Sequence, residues 1–217
     1  MEVIMGKKTF KIARSKLQEL ISTYAGVIID IGTGNGKFVY KSAQVHPEFF
    51  YIGIDSSCEN LKKYSAKIYK KPSRGGLLNV LYVIANIKDL PQELNGLAKK
   101  IFINFPWGSL LRGLVQKDQE ILENIIRISS RIGILEMLIN YSVFSNSAQV
   151  EKLGLPMLTI DYVENELSPA YNKAGIVIVE KKILDKDEMK NIPTMWAKKL
   201  AYGREFRTLY IRAKIKK

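Results

Sequence analysis

Ile28-Ile29-Asp30-Ile31-Gly32-Thr33-Gly34-Asn35-Gly36-Lys37 sets three alternating glycines between an apolar, β-branched run and a segment of helical period. The run reads as a buried strand, and Lys37 to Gln44 as the helix that follows it. Glycine between the two lets the backbone pass close to a ligand and take turns that a Cβ forbids. A tight turn with no ligand also explains an isolated glycine run, so the neighbouring segments must arbitrate.

Those segments agree with one another. Apolar runs at Val27 to Ile31, Phe49 to Ile54, Val80 to Ile84, Ile101 to Phe105 and Gly133 to Ile139 alternate with helical patterns at Lys37 to Gln44, Glu59 to Tyr69 and Gln119 to Ile128. Such alternation builds βαβ units and predicts an α/β fold with a doubly wound, mostly parallel sheet. Ile176 to Ile183 and Phe206 to Ile215 bring the count to seven strands. Ahead of the first strand, Ser15 with Gln18 three residues on reads as a capping box for a helix ending near Tyr24. Gly6-Lys7 between two short runs predicts a hairpin within residues 1–14. Residues 141–156, with a short helix, and 184–204 break the alternation as insertions after strands five and six, long enough to recognise a target. A chain of 217 residues, 47% hydrophobic, supports one core, and a single domain over 1–217 is expected.

Composition narrows the chemistry. Lys and Arg number 34 against 21 Asp and Glu, a formal charge of +13, which favours a polyanion and, with no basic amphipathic helix in view, nucleic acid over a membrane surface. No apolar run is long enough to span a bilayer and the first residues do not read as a signal peptide, so a cytoplasmic protein is expected. One cysteine, Cys58, and one histidine, His46, argue against an internal disulfide and against a Cys- or His-built metal centre.

Tyr51-Ile52-Gly53-Ile54-Asp55 ends the second strand on a carboxylate, at the sheet edge where doubly wound folds bind ligands. Asp55 can accept hydrogen bonds from both hydroxyls of a ribose, which identifies adenosine without choosing a reaction. The glycine loop and Asp30 make that choice: the spacing is not G-x-G-x-x-G, and an acid at position 30 suits a cationic aminoacyl end better than a pyrophosphate. S-adenosylmethionine is therefore the expected cofactor, on a Rossmann-like class I methyltransferase scaffold. Asn86, in Ala85-Asn86-Ile87 after the third strand, is placed to read the adenine edge.

The fourth strand runs out into Asn104-Phe105-Pro106-Trp107-Gly108-Ser109, where Pro106 is expected to hold the backbone extended and display Trp107 as a stacking platform. Trp196 lies in Pro193-Thr194-Met195-Trp196-Ala197-Lys198-Lys199, inside the second insertion. Core packing is the common fate of one Trp; two in loops at the active edge suggest a base held between two indoles. Lys62, Lys63, Lys67, Lys70, Lys71 and Arg74 form a basic stretch with almost no balancing acid, and Lys198, Lys199, Arg204 and Arg207 form a second. Phosphate contact is the reading preferred to a merely solvated face.

Five stretches then carry a resemblance: Asp30 to Gly36, Phe50 to Asp55, Lys70 to Gly76, Phe105 to Gly108 and Trp196 to Arg204. Over nearly the whole chain the sequence resembles the aminoglycoside-resistance 16S ribosomal RNA (adenine(1408)-N(1))-methyltransferases of the Kam and Npm type. That resemblance implies a target adenine in the decoding centre of the assembled 30S subunit, with aminoglycoside resistance as the outcome and no obligate protein partner for a monomeric enzyme. It matches Trp107 and Trp196 to the tryptophans that hold the flipped adenine, beside Phe105 and Pro106. It matches Asp30, Gly32, Asp55, Ile87, Pro106, Ser109 and Thr194 to cofactor contacts. Thr33, Gly34, Ser56, Asn86, Lys88, Asn104, Phe105 and Met195, with the two tryptophans, complete the candidate cofactor set. Lys67, Lys70, Lys71, Arg204 and Arg207 match rRNA-docking positions, with Arg74 and Lys199 added from the basic stretches. Lys88, Asn146 and Leu153 depart from the family's glutamate, glutamate and arginine.

Adenine N1 carries an in-plane lone pair and no proton near neutrality, so attack on a methyl group needs no general base. Two alternatives remain from the residues alone. A tRNA guanine-N7 methyltransferase also ends its fourth strand in Phe, Pro and Trp, but its Asp-Pro between Phe and Trp is missing here. A catalytically silent RNA-binding or ribosome-assembly factor would have no need of Asp30, Gly32, Gly34 and Asp55.

Overall fold

The computed structural model describes residues 1–140, 151, 154–156, 158–184, 187–188 and 208–217. Among them nine strands form one mixed sheet in the order β2-β1-β5-β4-β3-β6-β7-β9-β8. The strands are β1 (Glu2–Met5), β2 (Lys8–Lys11), β3 (Val27–Ile31), β4 (Phe50–Asp55), β5 (Val80–Ile84), β6 (Ala98–Asn104), β7 (Ser129–Asn140), β8 (Ile176–Leu184) and β9 (Thr208–Lys216). The centre is parallel, through β5-β4, β4-β3, β3-β6 and β6-β7. Both flanks are antiparallel, through β2-β1 and β1-β5 on one side and β7-β9 and β9-β8 on the other. The expectation of seven mostly parallel strands is thereby corrected. The N-terminal segment pairs with the sheet as two further strands, and β9 returns between β7 and β8, so parallel and antiparallel junctions are equal in number.

Helices cover both faces of the parallel centre, which is why β3 is buried at every residue. Side chains alternate along it: Val27, Ile29 and Ile31 enter one core and Ile28 the other. The larger core lies under α1 (Arg14–Ile21), α4 (Gly108–Val115), α5 (Gln119–Ile128) and a helical run through Ile160–Tyr162, a π-helical Val163–Leu167 and Ser168–Lys173. The smaller lies under α2 (Lys37–Val45) and α3 (Cys58–Ile68). Tyr171 and Tyr162 donate to the carbonyls of Leu114 and Val115 at 3.0 and 2.9 Å, tying the helical run to the end of α4.

Two local expectations change. Ser15 does not cap α1: the helix starts at Arg14 with Ala13 at the N-cap and no side-chain cap. Its start is held from outside, by the Arg14 guanidinium donating to the carbonyls of Gln92 and Asn95 at 3.2 and 3.1 Å. Helix α4 was absent from the sequence pattern, because its apolar residues follow a segment read as the exit of a strand. By contrast α5 starts on a conventional signal, the Asp118 carboxylate accepting from the amides of Glu120 and Ile121 at 3.1 and 3.4 Å. Most of the two insertions lies outside the described residues, including the short helix expected in the first.

Candidate active site

The carboxyl ends of β3, β4, β5 and β6 converge on a cleft of about 270 Å³. Its walls bring together Gly32, Gly34, Asp55, Ser56, Asn86, Ile87, Phe105, Pro106, Trp107 and Ser109 from the predicted set, with Ile54, Asn60, Ala85 and Leu110 among the others. The glycine loop is pinned to β4: the amides of Gly32 and Thr33 both donate to the Ile54 carbonyl at 2.9 Å. Asp55 pins it further, with Oδ2 accepting from the Gly34 amide at 2.8 Å and Oδ1 from the Ser57 amide at 2.9 Å and Asn60 Nδ2 at 3.2 Å. Asn60 escaped the sequence reading, since one turn into α3 it looks like any helical surface residue.

The glycines divide in role. Where a Cβ would stand on Gly34 there is nothing within 4 Å, so this residue leaves the loop open to the cleft it lines. Gly36 is turned against the protein instead: its missing Cβ would lie 2.3 Å from Tyr82 Cε1, and the Tyr82 hydroxyl donates to the Gly36 carbonyl at 2.7 Å. Tyr82 went unnoticed in the sequence because nothing local marks a strand tyrosine as the support of a loop 46 residues earlier.

Asp30 lies beneath this loop, 2% exposed, and accepts from Asn104 Nδ2 at 3.1 Å. Burial pushes its carboxyl up to about 7; the Thr33 hydroxyl and the Asn104 amide pull it down, and the Asp55 charge adds to the rise. Thr33 Oγ1 is close enough to Asp30 to exert that pull, yet it is buried with no hydrogen-bond partner of good geometry. Asp30, Thr33 and Asn104 thus back the cleft rather than line it.

Asn86 caps the short 3-10 turn Ile87–Asp89, its Oδ1 accepting from the Lys88 amide at 3.0 Å. Lys88 is carried away from the cleft, its ammonium pairing with Asp118 at 2.7 Å and Glu120 at 3.2 Å. The extended backbone expected before Pro106 is corrected. Phe105 is left-handed (φ 53°), with its amide held by the Leu138 carbonyl at 2.7 Å, because the chain must turn from β6 into α4 within three residues. The extended residue is Trp107, the N-cap of α4, which stands 62% exposed on the cleft rim. Thr194, Met195 and Trp196 lie outside the described residues, as do Lys198, Lys199, Arg204, Arg207, Asn146 and Leu153.

Of the first basic stretch, Lys63, Lys70, Lys71 and Arg74 are exposed. Lys67 is half-buried, its ammonium 4.4 Å from the centre of the Tyr40 ring, and the Tyr40 hydroxyl donates to the Gly75 carbonyl at 2.8 Å. The loop that bears Arg74 is thus built on α2. Among the described residues there is no group of His, Cys, Asp and Glu placed to hold a metal ion, and no helix is long and apolar enough to cross a membrane.

A glycine loop left open at Gly34, a carboxylate ending the second parallel strand and apolar walls at Ile54, Ala85, Ile87 and Leu110 suit an adenosyl ligand, and on this sheet they define an S-adenosylmethionine-dependent α/β methyltransferase. The family profile described as "NpmA: 16S rRNA (adenine(1408)-N(1))-methyltransferase" matches residues 2–215. The chain belongs to that family. A 16S rRNA (adenine(1408)-N(1))-methyltransferase of Escherichia coli is 40% identical over 206 residues, 94% of each chain. The crystal structure of the 16S rRNA methyltransferase KamB superposes with a TM-score of 0.91 at 30% identity, covering 100% of both chains. A variant of the corresponding enzyme from Catenulisporales acidiphilia, solved with cosubstrate SAM, gives 0.89 at 25% identity over 100% of this chain and 97% of that one. Matches to tRNA (guanine-N(7)-)-methyltransferases span less than half of the chain.

Proposed function

We propose that this protein methylates N1 of adenine 1408 of 16S rRNA in the assembled 30S subunit, with S-adenosylmethionine as donor and aminoglycoside resistance as the consequence. The observation that carries the reading is the joining, in one cleft, of the adenosyl-binding edge with an exposed Trp107 on its rim. Family membership over residues 2–215 supplies the substrate. A monomer acting in the cytoplasm is part of the same proposal.

S-adenosylmethionine supplies an electrophilic methyl group on a sulfonium. Asp55 would hold the ribose, Ile87 and Ala85 would flank the adenine, and Asp30 would balance positive charge at the aminoacyl end from beneath the glycine loop. Among the described residues Asp55 is the one ionisable side chain in the cleft wall; its Oδ1 accepts from Ser57 and Asn60 and its Oδ2 from Gly34, which leaves acceptor room for a ribose hydroxyl. With Asp55 given to the ribose, no other ionisable side chain of the described wall stands as a general base, which agrees with a nucleophile that has no proton to lose. The protein's task is to orient the base, with Phe105 and Pro106 fixing the approach of Trp107 and Trp196 closing on the other face of the ring. Lys67, Lys70, Lys71 and Arg74, with Lys199, Arg204 and Arg207, would hold the rRNA backbone.

Intact small subunits incubated with enzyme and S-adenosylmethionine test the reading by reverse transcription across the decoding centre of their rRNA. A new stop at adenine 1408 is expected. No stop, or a guanine-N7 mark on tRNA instead, would overturn it. Trp107→Ala should slow methylation roughly ten- to a hundredfold, the scale of one lost base stack, with cofactor affinity and melting temperature unchanged.

A further inference from the structure

The N-terminal hairpin carries charge that neither the cofactor cleft nor the base platform uses. Its turn is seated on α3: the Gly6 amide donates to Ser65 Oγ at 3.1 Å, and a Cβ on Gly6 would stand 3.5 Å from that of Ala66. On α3, Lys62 and Lys63 lie four and three residues before Ala66 and so share its side of the helix, with Lys70 just beyond the helix end. The turn that bears Lys7, and leads into Lys8, is thereby brought to the side of α3 that bears Lys62 and Lys63. Lys7, Lys8, Lys63 and Lys70 are all exposed. Among the described residues Glu59 is the acid paired within this group, and its partner is Lys62. Lys11 faces Glu2 across the hairpin register and is left out for that reason.

Lysines on an edge strand discourage further strands from adding, which accounts for Lys8 and Lys11 on β2. That role explains neither Lys7, which stands in the turn, nor the docking of the turn against the lysine-rich side of α3. We propose that Lys7 and Lys8 extend the docking face by holding backbone phosphates of an rRNA strand that passes α3, away from the target base. The inference rests on the rRNA-methyltransferase reading. Each lysine that neutralises a phosphate releases condensed counterions, so its loss flattens the salt dependence of binding by about one unit of slope.

The test is Lys7→Gln/Lys8→Gln, with Lys7→Arg/Lys8→Arg as control, bound to intact small subunits between roughly 50 and 200 mM KCl. A slope shallower by about two and an affinity lower by roughly tenfold are expected, with unchanged melting temperature and unchanged single-turnover rate at saturating enzyme, and the arginine pair should restore binding. A glutamine variant with wild-type slope and affinity, or one that arginine does not rescue, would overturn the hairpin assignment alone. Subunits left unmethylated by the wild type would overturn the parent reading instead.

Discussion

Asp30 shows how far a residue's chemistry depends on what is folded over it. Its type and position, an acid two residues before the glycine loop, were legible in the sequence. Its burial under strands that lie far away in the chain was not, and burial sets the carboxyl near 7. A folded value above the unfolded one means that the native state holds the extra proton between roughly pH 4 and 7. Stability at this site is greatest below that window and is lost as pH rises through it, by up to about 4 kcal/mol. Asp30→Asn should therefore gain stability over wild type as pH rises from 4 to 8, measured by urea unfolding. A cation bound beside Asp30 reverses the preference and favours the ionised form. Cofactor uptake below pH 7 should then release a proton, with the dissociation constant rising up to tenfold per pH unit as pH falls. Calorimetry in two buffers of different ionisation heat reads that proton directly, and equal heats would contradict the linkage.

At the scale of elements, the connection from β3 to α2 separates two glycines that the sequence treated alike. Gly36, left-handed at φ 75° as the N-cap of α2, has Tyr82 where a Cβ would go; Gly34, at φ 58°, has open space. Gly34→Ala should cost about 1–2 kcal/mol, the backbone penalty, and fall mainly on cofactor binding. Gly36→Ala adds a collision with a buried ring and should cost about 2–4 kcal/mol. Thermal unfolding with and without cofactor distinguishes the two, and equal losses would mean that Tyr82 yields. The boundaries of β3, β5 and α5 were readable because they depend on local patterns: continuous apolar runs for the strands and helical apolar spacing for α5, whose start the structure shows capped by Asp118. The start of α1 and the existence of α4 were not. The first is set by Arg14 reaching the carbonyls of residues 92 and 95, and the second by a left-handed Phe105 that no propensity favours.

For the whole molecule, the sheet order determines what the chain can lose. β9 is the last strand in sequence but lies inside the sheet between β7 and β8, with Leu209, Ile211, Ala213 and Ile215 buried in the larger core. Removing residues 208–217 would strip both neighbours of hydrogen-bond partners and expose a row of core side chains. The shortened protein should aggregate and show no cooperative melting transition by calorimetry and light scattering. A monomer that still melts cooperatively would contradict the order described here. At this scale the net charge of +13 acquires a place as well, since part of it gathers around α3 and the neighbouring hairpin turn.

By itself the sequence determined the class of fold, the family, and that Gly32, Gly34 and Asp55 belong to one sheet edge, because strand and helix periods and a glycine loop are written in adjacent residues. Tertiary structure alone decided that nine strands of the described residues share the sheet, that Phe105 bends so that Trp107 stands at the cleft, and that Tyr82 occupies the space beside Gly36. It also withdrew Lys88 from the cleft to Asp118 and Glu120. Each of these is a contact between segments remote in the chain, and the free energy of such a contact depends on which surfaces meet, which no local pattern specifies.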